Sequence, residues 1–377
     1  MPSNFLDTNR LIMREGYGWE KAPVETADGY LLQLTRILPR TPFTGKRPPI
    51  MLVHGLISTS ETWVSRGRFQ DLAFILTELG FDVWLPDLRG NHYGKRHKYI
   101  SPSNPRFWDF SFHEIGVYDI PACIDVILEK TGASKVAYVG HSMGTTVFFV
   151  MASLRPQYNN KISAAVLLAP VASKFPFDEI VNPATRVALT QFSFVFGTLK
   201  SAGIYEILPR TPRLVYNVKK YCTRQPEQDY CLDFIGSFYG EHRANLDRKH
   251  FGDQISYIPA GASLRTVHHF AQVFNYGFHM YDYGMKTNKL KYNSTVPPAY
   301  PLQRITAPIM LMHGSNDLLT SAQGVAFLRD MIPGVRKVVA VPDYKFTHVD
   351  FVYGVNTNDT VYPFLIDFLT ERIAIKK

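Results

Sequence analysis

The chain has 377 residues, 46% hydrophobic and 19% charged, with a formal net charge of +9. That balance excludes a disordered chain and gives enough length for one large domain carrying an insertion, with a sizeable core. The positive charge does not point to nucleic acid: dense basic runs are as short as GKRHK at 94–98 and no nucleic-acid motif accompanies them, so a solvated basic surface with a mild pull toward anionic lipid is expected.

At the start of the chain, MPSNFLDTNR lacks the apolar core of a signal peptide. It predicts either an intracellular chain or one that starts near a mature N-terminus. No apolar run reaches the roughly 18 residues of a membrane span, so none is expected. Residues 22–38 hold Asp28-Gly29 between β-leaning runs, which predicts a hairpin. Short apolar runs then alternate with helical patterns. The runs at 50–53, 81–85, 135–140, 164–169, 309–314 and 337–342 are mostly apolar on both faces, as buried parallel strands are. Helices are expected over 67–79, 114–130, 144–155, 322–331 and 360–373. This alternation predicts an α/β fold with a mostly parallel, doubly wound sheet. The rhythm breaks between the strands ending near 169 and starting at 309. That stretch is aromatic and helix-like, and residues 171–304 are expected as an inserted, mainly helical cap on a core made of 1–170 and 305–377.

Three cysteines occur. Cys123, in IPACIDVIL, reads as a small core residue. Cys222 and Cys231 flank a polar, Pro-containing segment that reads as a loop a disulfide could close, against two free thiols. Sequons stand at Asn293 (NST) and Asn358 (NDT) as possible glycan acceptors.

Residues 139–146 read VGHSMGTT. A G-x-S-x-G frame recurs by chance, but here a strand-like KVAYV precedes it and a helix-like TTVFFVMASL follows. Strand, sharp turn, helix is the nucleophile elbow, which exposes the serine at the carboxyl end of the sheet. Gly140 and Gly144 are expected because a Cβ at either would crowd the neighbouring strand and helix. A serine hydroxyl needs a base, and the elbow predicts the order serine, acid, histidine. Asp317 follows the strand at 309–313, and His348 follows the strand at 337–342. Ser142, His348 and Asp317 are therefore expected as nucleophile, base and orienting acid. Asp343 and Asp350 are the rival acids, but they share the base's own loop. His268 and His269 fall in the cap and read as packing or substrate-facing. His54 and His313 precede glycines at strand ends and read as loop hydrogen-bonders. Two N–H groups should receive an oxyanion: Met143, after the nucleophile, and Leu56, in VHGLISTS, where Gly55 is expected to let the backbone turn. No P-loop, no G-x-G-x-x-G after a strand and no metal-ligand spacing occurs, so neither cofactor nor metal is expected.

With these residues in view, the chain resembles the acid lipase family, which includes gastric and lysosomal acid lipases and their insect relatives. The stretches that carry the resemblance include DGYLLQLTRI (28–37), VHGL (53–56), RGNHYGKRH (89–97), FWDFSFHEIGVYDIPACID (107–125), GHSMGTT (140–146), MYDYG (280–284) and THVDFVYG (347–354). The resemblance implies an α/β-hydrolase core with a cap and hydrolysis of triacylglycerols or cholesteryl esters at a lipid–water interface. It implies the triad Ser142, Asp317 and His348, oxyanion donors at Leu56 and Met143, a Cys222–Cys231 disulfide, and a secreted or lysosomal, glycosylated protein. There are departures: Met143 stands where the family's elbow has Gln, which predicts a greasier site, and PDLRG (86–90) stands where the family reads GNARG. Two other readings fit the scaffold: a lipid carrier that has no use for a triad, and an acyltransferase that hands the same acyl group to an alcohol.

Overall fold

The computed structural model describes residues 5–41, 45–174 and 194–374. Two antiparallel strands open the sheet, β1 (Gly18–Glu25) and β2 (Leu31–Leu38). Gly29 makes the turn between them at φ 93°, and Thr26 Oγ1 donates to Asp28 at 2.6 Å. Six further strands follow: β3 (Pro49–Val53), β4 (Asp82–Asp87), β5 (Val136–His141), β6 (Ile162–Leu168), β7 (Ile309–His313) and β8 (Val335–Ala340). They make one eight-stranded sheet in the order β1-β2-β4-β3-β5-β6-β7-β8. From β4 to β8 every pairing is parallel; β2 runs antiparallel to both of its neighbours.

Side chains alternate across a strand, so an all-apolar strand must find a core on each face. β3 does so: Met51 and Val53 join one apolar cluster, Ile50 and Leu52 the other. β5 repeats the pattern, with Tyr138 on one side and Ala137 and Val139 on the other. Helices cover both faces, among them α1 (Leu72–Glu78), α2 (Ile120–Thr131) and α3 (Met143–Leu154).

Some boundaries differ from expectation. α1 starts at Leu72 and not at 67, because the Asp71 carboxylate accepts the N–H groups of Arg66 and Gly67 and holds that stretch as a turn. The helix expected from 114 begins at Phe112, where Ser111 and Glu114 form a capping box, and it passes through a wider π-turn at Ile115–Asp119 before α2. Gly116 lies there against Val150 of α3, with room for no Cβ.

The segment expected as a cap, 171–304, is described over 171–174 and 194–304. It holds α4 (Pro212–Thr223), α5 (Glu227–Tyr239), α6 (Leu264–Tyr276) and a two-stranded ribbon pairing Glu206–Ile207 with Ala262–Ser263. Cys222 and Cys231 form a disulfide. It joins two helices and does not simply close a loop as expected: most of the polar segment between the cysteines is helical, belonging to α4 and α5. Two longer helices follow β7, α7 (Ala322–Met331) and α8 (Tyr362–Thr370). Among the described residues no helix is long and apolar enough to cross a membrane.

Candidate active site

The end of β5 and the start of α3 meet at Ser142, which sits at φ 55° and ψ −119°. A side-chain-bearing residue adopts a positive φ only when its surroundings hold it there. Here the Ser142 N–H donates to the Leu168 carbonyl at 3.0 Å, and the Ser142 carbonyl accepts from Thr145 N–H at 2.8 Å and from Thr145 Oγ1 at 2.7 Å. The two elbow glycines are required by close approach. A Cβ on Gly140 would lie 2.6 Å from the Gly144 carbonyl oxygen, and one on Gly144 would strike the Val53 carbonyl at the end of β3. Sequence, turn and neighbouring strand thus agree on glycine at both positions.

Ser142 Oγ lies 2.8 Å from His348 Nε2. His348 Nδ1 lies 2.9 and 3.1 Å from the two Asp317 oxygens. Because Nδ1 faces a carboxylate, it carries the ring proton, and Nε2 is left to accept from the serine. Asp317 is held in turn, its Oδ1 accepting from the N–H of Leu319 at 2.8 Å and of Thr320 at 3.0 Å. The rival carboxylates are engaged elsewhere. Asp350 accepts from Thr347 N–H at 2.7 Å and from His242, and Asp343 accepts from Lys345 N–H at 3.0 Å and from Asn356.

Of the two expected oxyanion donors, Met143 directly follows Ser142 and Leu56 lines the same cavity as Ser142. Met143 N–H is the first of α3, so it has no helical acceptor. Leu56 N–H has none among the described residues either. Gly55 packs against the elbow, where a Cβ would lie 3.3 Å from Ser142 Cβ. Gly55 itself is not left-handed; the left-handed residue of this loop is Ile57, at φ 53°, whose carbonyl accepts from Ala260 N–H at 2.7 Å. Gly55 is glycine because of proximity. Below the loop, His54 Nδ1–H donates to the Gly55 carbonyl at 2.8 Å, and its Nε2 accepts from Leu88 N–H at 3.3 Å. Burial pulls this imidazole down to about 4, so it stays a neutral loop brace.

A cavity of about 260 Å³ opens over Ser142. Its walls include Leu56 and Ile57 of the oxyanion loop, and Val267, Phe270, Ala271 and Phe274 of α6. Those four α6 positions are spaced i, i+3, i+4, i+7, one face of a helix. Met143 does not line this cavity, which corrects the expectation of a greasier site. Its side chain is buried in the core cluster that also holds Phe110 and Ile115. His268 and His269 do not line it either. His268 Nδ1 bonds Tyr281 Oη at 2.7 Å, and His269 bonds Ser111 Oγ and the His279 carbonyl, each at 2.9 Å.

Sequence reading missed three supports. His141 Nε2–H donates to the His348 carbonyl at 2.9 Å. The Tyr239 ring stacks on the His348 ring with centroids 5.7 Å apart, and its carbonyl accepts His348 N–H at 3.2 Å. Arg210 pairs with Glu61 at 2.8 Å, both side chains fully buried behind the oxyanion loop. Only His141, next to Ser142, was open to notice in the sequence. The other two come from the insertion, with no local pattern to announce them.

His141 makes a pH prediction. Burial, helped by the nearby His348 charge, pulls its imidazole from 6.5 to about 3. Between those values the unfolded chain binds a proton that the folded one does not, so His141 removes stability as the pH falls through that window. His141→Gln keeps an N–H for the His348 carbonyl but cannot titrate. It is expected to flatten the acid loss of stability by about 1.4 kcal/mol per pH unit, read from urea unfolding of wild type and variant side by side.

A family model described as the alpha/beta hydrolase fold matches residues 48–197, and one described as a partial alpha/beta-hydrolase lipase region matches residues 8–67. The chain is similar to Lipase 3 of Drosophila melanogaster, 37% identical over 361 residues that cover 94% of this chain and 91% of that one. It is similar to human gastric triacylglycerol lipase, 32% identical with 98% and 92% covered. Among solved structures it is similar to a soluble variant of monoglyceride lipase from Saccharomyces cerevisiae, at a TM-score of 0.57 and 16% identity, with 93% of this chain and 95% of that chain covered. It is also similar to the epoxide hydrolase VrEH1 from Vigna radiata, at 0.54 and 17%, with 95% and 99% covered. At such identities the structural likeness speaks for the fold alone.

Proposed function

The chain belongs to the acid lipase family of the α/β-hydrolase fold, and from that premise we propose that it hydrolyses lipid esters, such as triacylglycerols or cholesteryl esters, through an acyl-enzyme on Ser142. The observation that carries the reading is the hydrogen-bonded series Asp317–His348–Ser142 beneath an apolar cavity. Ser142 Oγ attacks the ester carbonyl as His348 Nε2 takes its proton. The carbonyl oxygen becomes an anion that Leu56 and Met143 N–H groups receive, each contributing about 3–4 kcal/mol to the transition state. The C–O bond to the alcohol breaks, and His348 returns the proton to the leaving oxygen. Water then repeats the steps and frees the fatty acid. Asp317 holds the imidazole tautomer and stabilises its charged form. Residues 171–304 serve as the cap, whose α6 face contacts the acyl chain.

The cap's outer surface supports work at a lipid–water interface. Tyr230, Phe234 and Phe238 lie along one face of α5 and are 70%, 68% and 41% exposed. Phe238 also lines the cavity, so the stripe runs to its mouth. The disulfide between Cys222 and Cys231 supports an oxidising compartment, secreted or lysosomal. There Asn293 and Asn358, both exposed, are the possible glycan acceptors, although the Asn358 amide nitrogen donates to the Phe69 carbonyl at 2.7 Å.

The test compares an emulsion of long-chain triacylglycerol with a soluble p-nitrophenyl ester. Wild type should cleave both and favour the emulsion. The double variant Tyr230→Ser/Phe234→Ser should lose about tenfold or more on the emulsion and little on the soluble ester, since each ring withdraws about 1.5–3 kcal/mol of apolar burial. A wild type that prefers the soluble ester would make this an esterase. One that turns over only with an alcohol acceptor would make it an acyltransferase, and one inert to both would leave a carrier.

A further inference from the structure

Directly after α5, residues 239–246 of the insertion run against the two loops that carry Asp317 and His348. Gly240, at φ 102°, lies so close to the Asn316 carbonyl that no Cβ fits. Asn316 Nδ2 donates to the Glu241 carbonyl at 3.0 Å, one residue before the acid. Val355 N–H donates to the Asn245 carbonyl at 2.8 Å, and Asn356 N–H to Asn245 Oδ1 at 3.0 Å, just past the base. In the middle of this stretch is His242. Its Nδ1 lies 2.9 Å from Asp350 Oδ2, and its Nε2 lies 3.7 Å from Asp343 Oδ2. The ring therefore spans the loop from the residue five before His348 to the residue two after it.

We propose that His242 is a positioning residue for the base: from the insertion, it braces the 343–350 loop so that His348 Nε2 stays within reach of Ser142 Oγ. The brace acts through Asp350. That carboxylate is fully buried, and its Oδ2 accepts from both His242 and Thr347 N–H, the amide next to His348. Its Oδ1 has no hydrogen-bond partner among the described residues. Without His242, the buried carboxylate is left with Thr347 alone as its donor residue, an arrangement it escapes by protonating or by turning. Either change frees Thr347, and with it the backbone that aims His348. A shift of about 1 Å at a reacting group can cost about 100-fold in rate. His242 does not line the cavity, so substrate binding has no direct use for it. The inference rests on the triad reading and adds a residue to it.

The test uses the full chain, a soluble p-nitrophenyl ester and a fluorophosphonate. His242→Ala should lower kcat and the phosphonylation rate together by about 100-fold while KM changes little. His242→Asn places an amide nitrogen where Nδ1 stands, so it should restore most of both rates. A general loss of structure would lower both variants alike, together with their melting temperatures, and Asn would rescue nothing. Equal slowing of the two variants, or a folded Ala variant with wild-type kcat, overturns the proposal. A wild type that neither turns over nor labels overturns the hydrolase reading and this one together, whereas an active wild type matched by the Ala variant overturns this one alone.

Discussion

Ser142→Ala is expected to lower kcat on a soluble ester by about a million-fold, with KM nearly unchanged. The size of the loss follows from the geometry. Oγ is the atom that lies 2.8 Å from the base, and alanine leaves His348 with nothing to activate. Removing a hydroxyl adds no bulk, so the elbow should keep its fold. The variant should still bind ester in the cavity. The remaining rate would come from the oxyanion N–H groups acting on an ester that water attacks. A variant that keeps most of its activity would mean that the nucleophile lies elsewhere.

The second large effect belongs to the acid. Asp317→Asn should cost about 10,000-fold in kcat. The amide fits the space of the carboxylate and can still bond His348 Nδ1. It can do so as a donor, however, which turns the imidazole to the wrong tautomer and leaves Nε2 protonated toward Ser142. The same change at Asp343, whose carboxylate holds Lys345 N–H and Asn356, should cost far less. The contrast tests the choice between Asp317 and Asp343 as the orienting acid. If Asp343→Asn were the more damaging change, the triad as assigned would be wrong.

The parts of the fold that read directly from the sequence are those with a strong local pattern. β3 and β5 are unbroken apolar runs buried on both faces, and they lie within a residue of their expected limits. β8 was displaced by two residues, to 335–340. It is an edge strand with alternating exposure, and its ends are set by its register on β7, which no local pattern encodes. The elbow was legible because glycine, serine and glycine at fixed spacing have one common physical cause. Asp317 and His348 were legible from chain order and from their place after a strand.

What stayed hidden depends on contacts between distant parts of the chain. Tyr239 and His242 meet the base loop from more than a hundred residues upstream, and Arg210 meets Glu61 across about 150 positions of chain. A lone Tyr, His or Arg in an aromatic insertion carries no mark of such a partner. The side chain of Met143 misled for a related reason. It follows the nucleophile in sequence, but adjacency in sequence does not set direction: successive side chains of a helix point to different sides, and this one goes into the core.

The account turns on Ser142 being an activated nucleophile, and the most direct measurement is covalent capture. The folded protein is treated with a fluorophosphonate, digested, and its peptides are weighed. The account predicts one phosphonyl group per chain, on Ser142, and none after His348→Ala or in denatured protein. Labelling at another serine, or no labelling of a folded wild type, would contradict it.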